Sequence, residues 1–228
     1  MSKHPLDRPV WSCLTGAQAH LAHGGDTAVR IDPGYGPFAA ARDPSDPSQT
    51  ALAALLPGAD DAIALIEPAA WPVPPGLRLE QSSELLQMVA ERPSLGDGDD
   101  PRVGLLAEGD VGEMSALALA TKPGPWAPLT HSYGDFYGIR IDGRLAAMAG
   151  ERMLPAGYAE VSAVCTWPEF RGQGLAAVLM QTVMRGFVTR GDTPFLHSYA
   201  QNAGAIRLYK ALGFRARRTM TLTVLVRA

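Results

Sequence analysis

Cysteine is scarce: Cys13 and Cys165 are the only two in 228 residues, far apart and without the short spacing of paired metal ligands. That spacing points away from a disulfide framework and a zinc site, so no metal is expected. Long apolar runs are missing as well. No stretch approaches the ~20 residues that span a bilayer, and the opening MSKHPLDRPVWSCLTG has no apolar leader core. A cytoplasmic protein with no membrane partner is expected. Charge of one sign is also lacking, since a net charge of −3 offers no electrostatic footprint for nucleic acid. Against these absences, 46% of residues are hydrophobic and 19% charged, which suits a soluble globular chain with a sizeable core. At this length one complete domain plus a partial one fits.

The first hundred residues are rich in Pro, Gly and Ala, and their periodicity is weak. DTAVRIDPGYGPFAA alternates like a strand, SQTALAALLP suggests a short helix, and DAIALIEP a buried strand. LRLEQSSELLQMVAERP reads as a strand followed by a helix capped by Ser82 or Ser83 and stopped by Pro93. SLGDGDDP, residues 94–101, lacks apolar anchors and marks a linker. The boundary falls near Asp100, giving segments 1–100 and 102–228.

Beyond the linker, VGLLAEGD is a candidate strand, and Asp110 with Glu113 makes a capping-box-like start for a helix. Asp142-Gly143 is the dipeptide suited to a type I′ hairpin. YAEVSAVCT then forms a third strand, PFLHSYA a fourth, and FRARRTMTLTVLVRA alternates as one long half-buried strand. Between them Leu175, Leu179, Val183 and Phe187 recur at intervals of four, as on one helix face. The order points to an α/β chain built on a mixed sheet.

The most informative string is EVSAVCTWPEFRGQGLA, residues 160–176, where a strand breaks at Pro168 and a glycine-rich turn opens a helix. Gly172 and Gly174 let the backbone bend tightly, and the first turn of the helix offers unsatisfied N–H groups and the positive end of its dipole. Such a junction is an anion seat, with Arg171 at its lip. Two rival phosphate loops are excluded by spacing: no Lys-Ser or Lys-Thr follows Gly174, and Ala177 stands where a dinucleotide fingerprint has its third glycine. One helix downstream, NAGAIRLYKALGF carries Asn202 as N-cap, an apolar stripe of Ala205, Leu208 and Leu212 with Tyr209 beside it, and Gly213 at the C′ position.

These two motifs, in this order, make residues 102–228 resemble the GNAT superfamily of N-acetyltransferases; the string from Glu160 to Ala176 with the preceding MAGERM resembles its glycine N-acyltransferase-like branch. The resemblance implies an α/β GNAT fold in which residues 1–100 form either a degenerate second copy or an accessory half-domain. The superfamily usually closes its sheet with two strands, yet only one fits after Phe214, so the first segment is expected to supply the missing neighbour. Acetyl-CoA is the implied cosubstrate. Backbone groups of Val164, Cys165 and Thr166 would meet the pantetheine arm, Arg171, Gly172, Gln173, Gly174, Leu175 and Ala176 would wrap the pyrophosphate, and Asn202 would reach the arm.

The implied reaction transfers an acetyl group to a primary amine of a small molecule or amino acid, by direct attack in a ternary complex. Tyr209 is the candidate general acid, because a phenol stays protonated at neutral pH; the alternative is a packed aromatic. Glu160 is the candidate general base, directly or through water. Period-two alternation places Glu160, Ser162, Val164 and Thr166 on one strand face and Cys165 on the other, where a small buried hydrophobe is expected. Glu151 and His197 are rivals for the base, against the plainer readings of a carboxylate paired with Arg152 or another cation and a hydrogen-bonded core histidine. Trp126, Phe136 and Glu151 are candidates for substrate contact. A competing reading is a coenzyme A-binding regulatory module without catalysis, and a homodimer stays open.

Overall fold

Positive φ at both central residues of the hairpin, 51° at Asp142 and 80° at Gly143, meets the requirement of a type I′ turn and joins β7 (Phe136–Ile141) to β8 (Arg144–Glu151). The computed structural model describes residues 4–56, 58 and 61–228. Its main sheet has eight strands in the order β4-β11-β5-β10-β9-β8-β7-β6. The others are β4 (Ala62–Glu67), β5 (Leu77–Val89), β6 (Val103–Leu105), β9 (Tyr158–Thr166), β10 (Thr193–Tyr199) and β11 (Arg215–Arg227). A second, three-stranded sheet consists of β1 (Ala22–Gly24), β2 (Ala28–Ile31) and β3 (Ala39–Ala41). Only β9 and β10 are parallel within the named pairs of the main sheet.

One face of the main sheet carries α4 (Leu175–Arg190) and α5 (Ala203–Ala211). The other is covered by α1 (Pro9–Leu14), α2 (Asp46–Ala54), the small sheet and α3 (Val111–Thr121). Leu175, Leu179, Val183 and Phe187 are all buried against the first face, so the four-residue spacing marked the buried stripe of α4.

β5 departs from the expected strand-plus-helix. Residues 77–89 are one continuous strand, pairing with β10 on one side and along the length of β11 on the other. Ser82 and Ser83 therefore cap nothing. Leu85 and Val89 pack toward α1 while Leu86 and Met88 pack toward α4; burial on both faces gives a central strand a near-continuous apolar run that is hard to tell from a helix. Tertiary pairing overrides the local helical preference. β5 thus supplies, from the first segment, the neighbour that the single long β11 lacked.

Helix starts follow the sequence unevenly. Asn202 accepts a hydrogen bond from the Ala205 N–H at 3.2 Å and caps α5 as expected. Asp110 and Glu113 form no box at α3: Asp110 accepts from the Ala107 N–H at 2.8 Å, and Glu113 accepts from the Leu145 N–H at 3.1 Å. Both carboxylates also hold Arg140, so they tie α3 to the hairpin.

Candidate active site

β9 and β10 run side by side only briefly. Tyr158 to Glu160 pair with Thr193 to Phe195, after which β10 continues along β5 alone. From Val161 to Thr166, β9 is hydrogen-bonded to β8 and its other edge has no strand partner among the described residues. Unpaired main-chain donors and acceptors inside a protein need a partner, and this edge presents a row of them at the opening where β9 and β10 part.

A bulge shapes that edge. Two steps on β8, Met148 to Gly150, face three on β9, Cys165 to Ser162, and Ala163 takes up the extra residue with φ of 50°. Left-handed backbone costs a residue with a Cβ roughly 1–2 kcal/mol, and a bulge re-aims the side chains beyond it. Alternation therefore does not run through β9. Val161 and Val164 meet the α4 face, while Ala163 and Cys165 pack beneath α3. The expected common face of Glu160, Ser162, Val164 and Thr166 is broken, and Cys165 lies on the same side of the sheet as Glu160. Cys165 is nonetheless the small buried hydrophobe anticipated; burial pushes its thiol up to about 12.

The glycine turn stands at the mouth of the opening. Gly172 and Gly174 have φ of 78° and 75°, and a Cβ on either would meet nothing within 4 Å. Glycine is needed here for backbone conformation rather than for want of room. Arg171, Gly172, Gln173 and Gly174 are exposed, and the amides of residues 172–176 donate to no group among the described residues. Arg171 Nε reaches the Thr166 carbonyl at 3.4 Å. Free amides, a helix N-terminus and one guanidinium fit a diphosphate.

Tyr209 borders the same opening, packed with Val164, Ile206 and Leu208 against the α4 core, its ring edge-on to Phe214. Burial, helped by nearby Cys165, pushes its phenol up to about 12. The hydroxyl has no hydrogen-bond partner among the described residues, so its proton is available to a ligand.

Glu160 is placed differently from its expected role. It is 0% exposed and accepts three bonds of 2.7 Å: from Arg152 Nε, from Arg152 Nη2, and from His197 Nδ1. Burial favours the neutral acid, but the Arg152 charge and the hydrogen bonds from Arg152 and His197 outweigh it and hold the carboxyl at about 2. So acidic and saturated a carboxylate does not take a proton from an ammonium. This geometry disfavours the direct-base role expected of Glu160.

His197 is tied into the same network. Arg217 donates to the Gln87 side-chain oxygen at 2.9 Å, and Gln87 Nε2 lies 2.9 Å from the Leu6 carbonyl and 3.1 Å from His197 Nε2. Because the amide donates to Nε2, Nδ1 carries the ring proton toward Glu160. His197 is the hydrogen-bonded core histidine of the plainer reading. Glu151 is the cation-paired carboxylate of the plainer reading, held by Arg190 at 2.9 Å through both oxygens, and it is 4% exposed.

Phe136 is likewise core, 2% exposed, with its ring pressed onto Gly150, where a Cβ would approach it to 2.5 Å. Trp126 is half-buried, edge-on to Phe136, and donates its indole N–H to Ser115 Oγ at 3.0 Å. The loop that follows it is braced from the first segment: Leu129 N–H donates to the Gly34 carbonyl at 2.7 Å and Thr130 Oγ1 to the Tyr35 carbonyl at 3.1 Å. Neither the bulge nor the Glu160–Arg152 pair carried a sequence signal, since an alanine in left-handed backbone looks like any other alanine. Among the described residues no cluster of three metal-donor side chains occurs, and no helix is long and apolar enough to cross a membrane.

Comparison with known proteins agrees with this geometry. Residues 136–223 match the family model for FR47-like proteins, a stretch running from β7 into β11. A crystal structure of an acetyltransferase of the GNAT family from Novosphingobium aromaticivorans is 56% identical, with 99% of this chain and 100% of that one covered at a TM-score of 0.94. A GCN5-related N-acetyltransferase from Kribbella flavida shares the fold at 20% identity, 96% and 93% coverage and a TM-score of 0.62. Another from Sphaerobacter thermophilus does so at 15% identity, 100% and 95% coverage and 0.56. No curated protein matches. A splayed strand pair, an exposed glycine turn at a helix start and full-length identity above half together establish that the chain belongs to the GNAT family of acyl-CoA-dependent acetyltransferases.

Proposed function

We propose that this protein acetylates a primary amine of a small molecule or amino acid, using acetyl-CoA in a ternary complex. The observation that carries the reading is the opening between β9 and β10, bordered by free amides, by an unpaired strand edge and by the unpartnered Tyr209 hydroxyl. Residues 171–176 hold the diphosphate, and main-chain groups of Val164, Cys165 and Thr166 hold the pantetheine amides. Asn202 keeps its capping bond and adds a contact to the arm. Acetyl-CoA supplies an acyl group on a good leaving thiolate.

Each side chain then has a bounded task. An amide on the open edge of β9 orients the thioester carbonyl and meets the charge that develops on its oxygen. Tyr209 donates its proton to the departing sulfur and regains one from the water that takes up the amine's proton. With Glu160, Glu151 and His197 all engaged, the amine sheds its proton to water, and the protein's contribution is alignment. The buried Glu160–Arg152 pair keeps the base of the opening rigid. Cys165, with its raised thiol, takes no covalent part.

Residues 102–228 act as the catalytic part and residues 1–100 as an accessory one that completes the sheet and braces the loop after Trp126. Trp126 walls the acceptor side. The glycine N-acyltransferase-like character of the segment Glu160–Ala176 favours small amines and amino acids over protein substrates. Calorimetric titration with acetyl-CoA, followed by thiol release over a panel of amino acids, small amines and peptides, tests this. Saturable binding with release for a small amine is expected; binding without release for any amine assigns the chain to a non-catalytic module.

A further inference from the structure

A cavity of about 570 Å³ lies where β5 ends and β11 begins, floored by Tyr158 at the start of β9. Eight residue steps of β9 at ~3.3 Å put Tyr158 about 25 Å from Thr166, the end of the strand that precedes the glycine turn. The cavity's lining shares no residue with the glycine turn, with residues 161–166 of β9 or with Tyr209. Its lining is cationic: Arg92, Arg215 and Arg217 face one carboxylate, Glu91. A neighbouring hollow of about 530 Å³ shares Gly213, Arg215 and Ala216 with it and adds Lys210.

Most arginines of this chain hold a carboxylate, as Arg8, Arg30, Arg140 and Arg190 do. Arg92 and Arg215 hold none among the described residues, although both are exposed. Arg217 is anchored from behind by Asp7 at 2.6 Å and Gln87 at 2.9 Å, which fixes its guanidinium before any ligand arrives. Gly213 shapes the floor: its φ is 93° and a Cβ would meet the Arg92 carbonyl at 2.5 Å.

A directed donor completes the lining. His4 Nδ1 accepts the Leu6 N–H at 3.2 Å, so the ring proton sits on Nε2, which lies 3.1 Å from the Tyr158 hydroxyl and donates to it. The phenol's own proton is then left for the cavity. Burial, then the Arg217 charge, lowers the His4 pKa, in keeping with that neutral ring.

We infer that this cavity is a second ligand site, for a small organic anion with at least two negative charges, a dicarboxylate or a phosphate ester. Arg92 and Arg215 close on the anionic groups from the rim, while Arg217 and the Tyr158 hydroxyl receive them from the floor. The single Glu91 carboxylate leaves the lining net positive. Charge-assisted bonds of this kind are the strong ones in proteins.

Calorimetry on the full chain with succinate in one arm and inorganic phosphate in the other tests the site and separates carboxylate from phosphate recognition. Saturable binding of at least one probe is expected, weakened about tenfold or more in the double variant Arg92→Gln/Arg215→Gln, since each bond to a charged group is commonly worth a decade. Tyr158→Phe, which removes only the hydroxyl, weakens it several-fold and guards against a folding artefact in the double variant. Arg207→Gln, an exposed change on α5 outside the cavity, leaves it unaltered. The inference falls if neither probe saturates, if the double variant binds as well as the parent, if Arg207→Gln weakens binding equally, or if Arg171→Gln abolishes it and so locates the probe at the glycine turn.

Discussion

Replacing Glu160 by glutamine separates a positioning carboxylate from a catalytic one. The amide of Glu160→Gln offers a single acceptor oxygen where the carboxylate met three donors at 2.7 Å. With that oxygen toward His197 and Arg152 Nη2, its amide nitrogen confronts Arg152 Nε, donor against donor. Arg152 keeps its charge with an 11% exposed side chain and no carboxylate to offset it. Breaking a buried ion pair from one side costs about 3–5 kcal/mol. For a chain of this size each kcal/mol shifts Tm by roughly 2–4 °C, so a fall on the order of 10 °C is expected at neutral pH. Acid should act similarly on the parent protein. The Glu160 pKa is depressed in the fold to about 2, so its contribution is present above the unfolded carboxylate range and is lost as pH falls from there toward 2. Thermal melts followed by circular dichroism give the stability. Thiol release at a temperature where the variant is folded gives turnover, expected within about tenfold of the parent because general-base loss alone commonly costs 10²–10⁴. A variant with an unchanged melt that loses turnover by more than a hundredfold would show that Glu160 handles the proton, and the positioning argument would be wrong.

Tyr209→Phe removes one hydroxyl and should lower kcat by about 10²–10⁴, the usual weight of a positioned acid, while acetyl-CoA affinity by calorimetry stays put; unchanged turnover takes Tyr209 out of the reaction. Gly174→Ala places a methyl in the open space before the free amides at φ of 75°. It should cost roughly 1–2 kcal/mol of stability and weaken acetyl-CoA binding markedly, so unaltered affinity would move the diphosphate elsewhere. Gly150→Ala drives a Cβ to 2.5 Å from the Phe136 ring and should destabilise by about 1–3 kcal/mol through overpacking, an effect that the additional change Phe136→Leu should relieve in a double-mutant melt.

The parts of the fold that local chemistry dictates were legible. Asp142-Gly143 specified its hairpin, Asn202 and Gly213 bounded α5, and the glycine turn before Leu175 announced α4. What escaped reading depends on partners distant in the chain. Residues 82–89 carry helix-forming side chains, yet β10 on one side and β11 on the other stretch them into a strand. Ala163 gives no hint of a bulge, and without it the two faces of β9 were assigned by simple alternation. Arg152 stands next to Glu151 in sequence, but strand geometry sends the neighbours to opposite faces, Arg152 to Glu160 and Glu151 to Arg190. Which carboxylate belonged to which guanidinium was a property of the sheet.

The place of β5 between β10 and β11 governs how the chain can be born. β5 is finished at Val89, whereas its first flanking strand begins at Thr193. At a ribosomal pace of roughly 5–20 residues per second, about a hundred further residues keep it waiting some 5–20 seconds with both edges bare. Unpaired edges recruit other strands, so crowded translation should favour tangled oligomers of nascent chains. Slower initiation, rather than slower elongation, is the remedy for producing this protein in quantity.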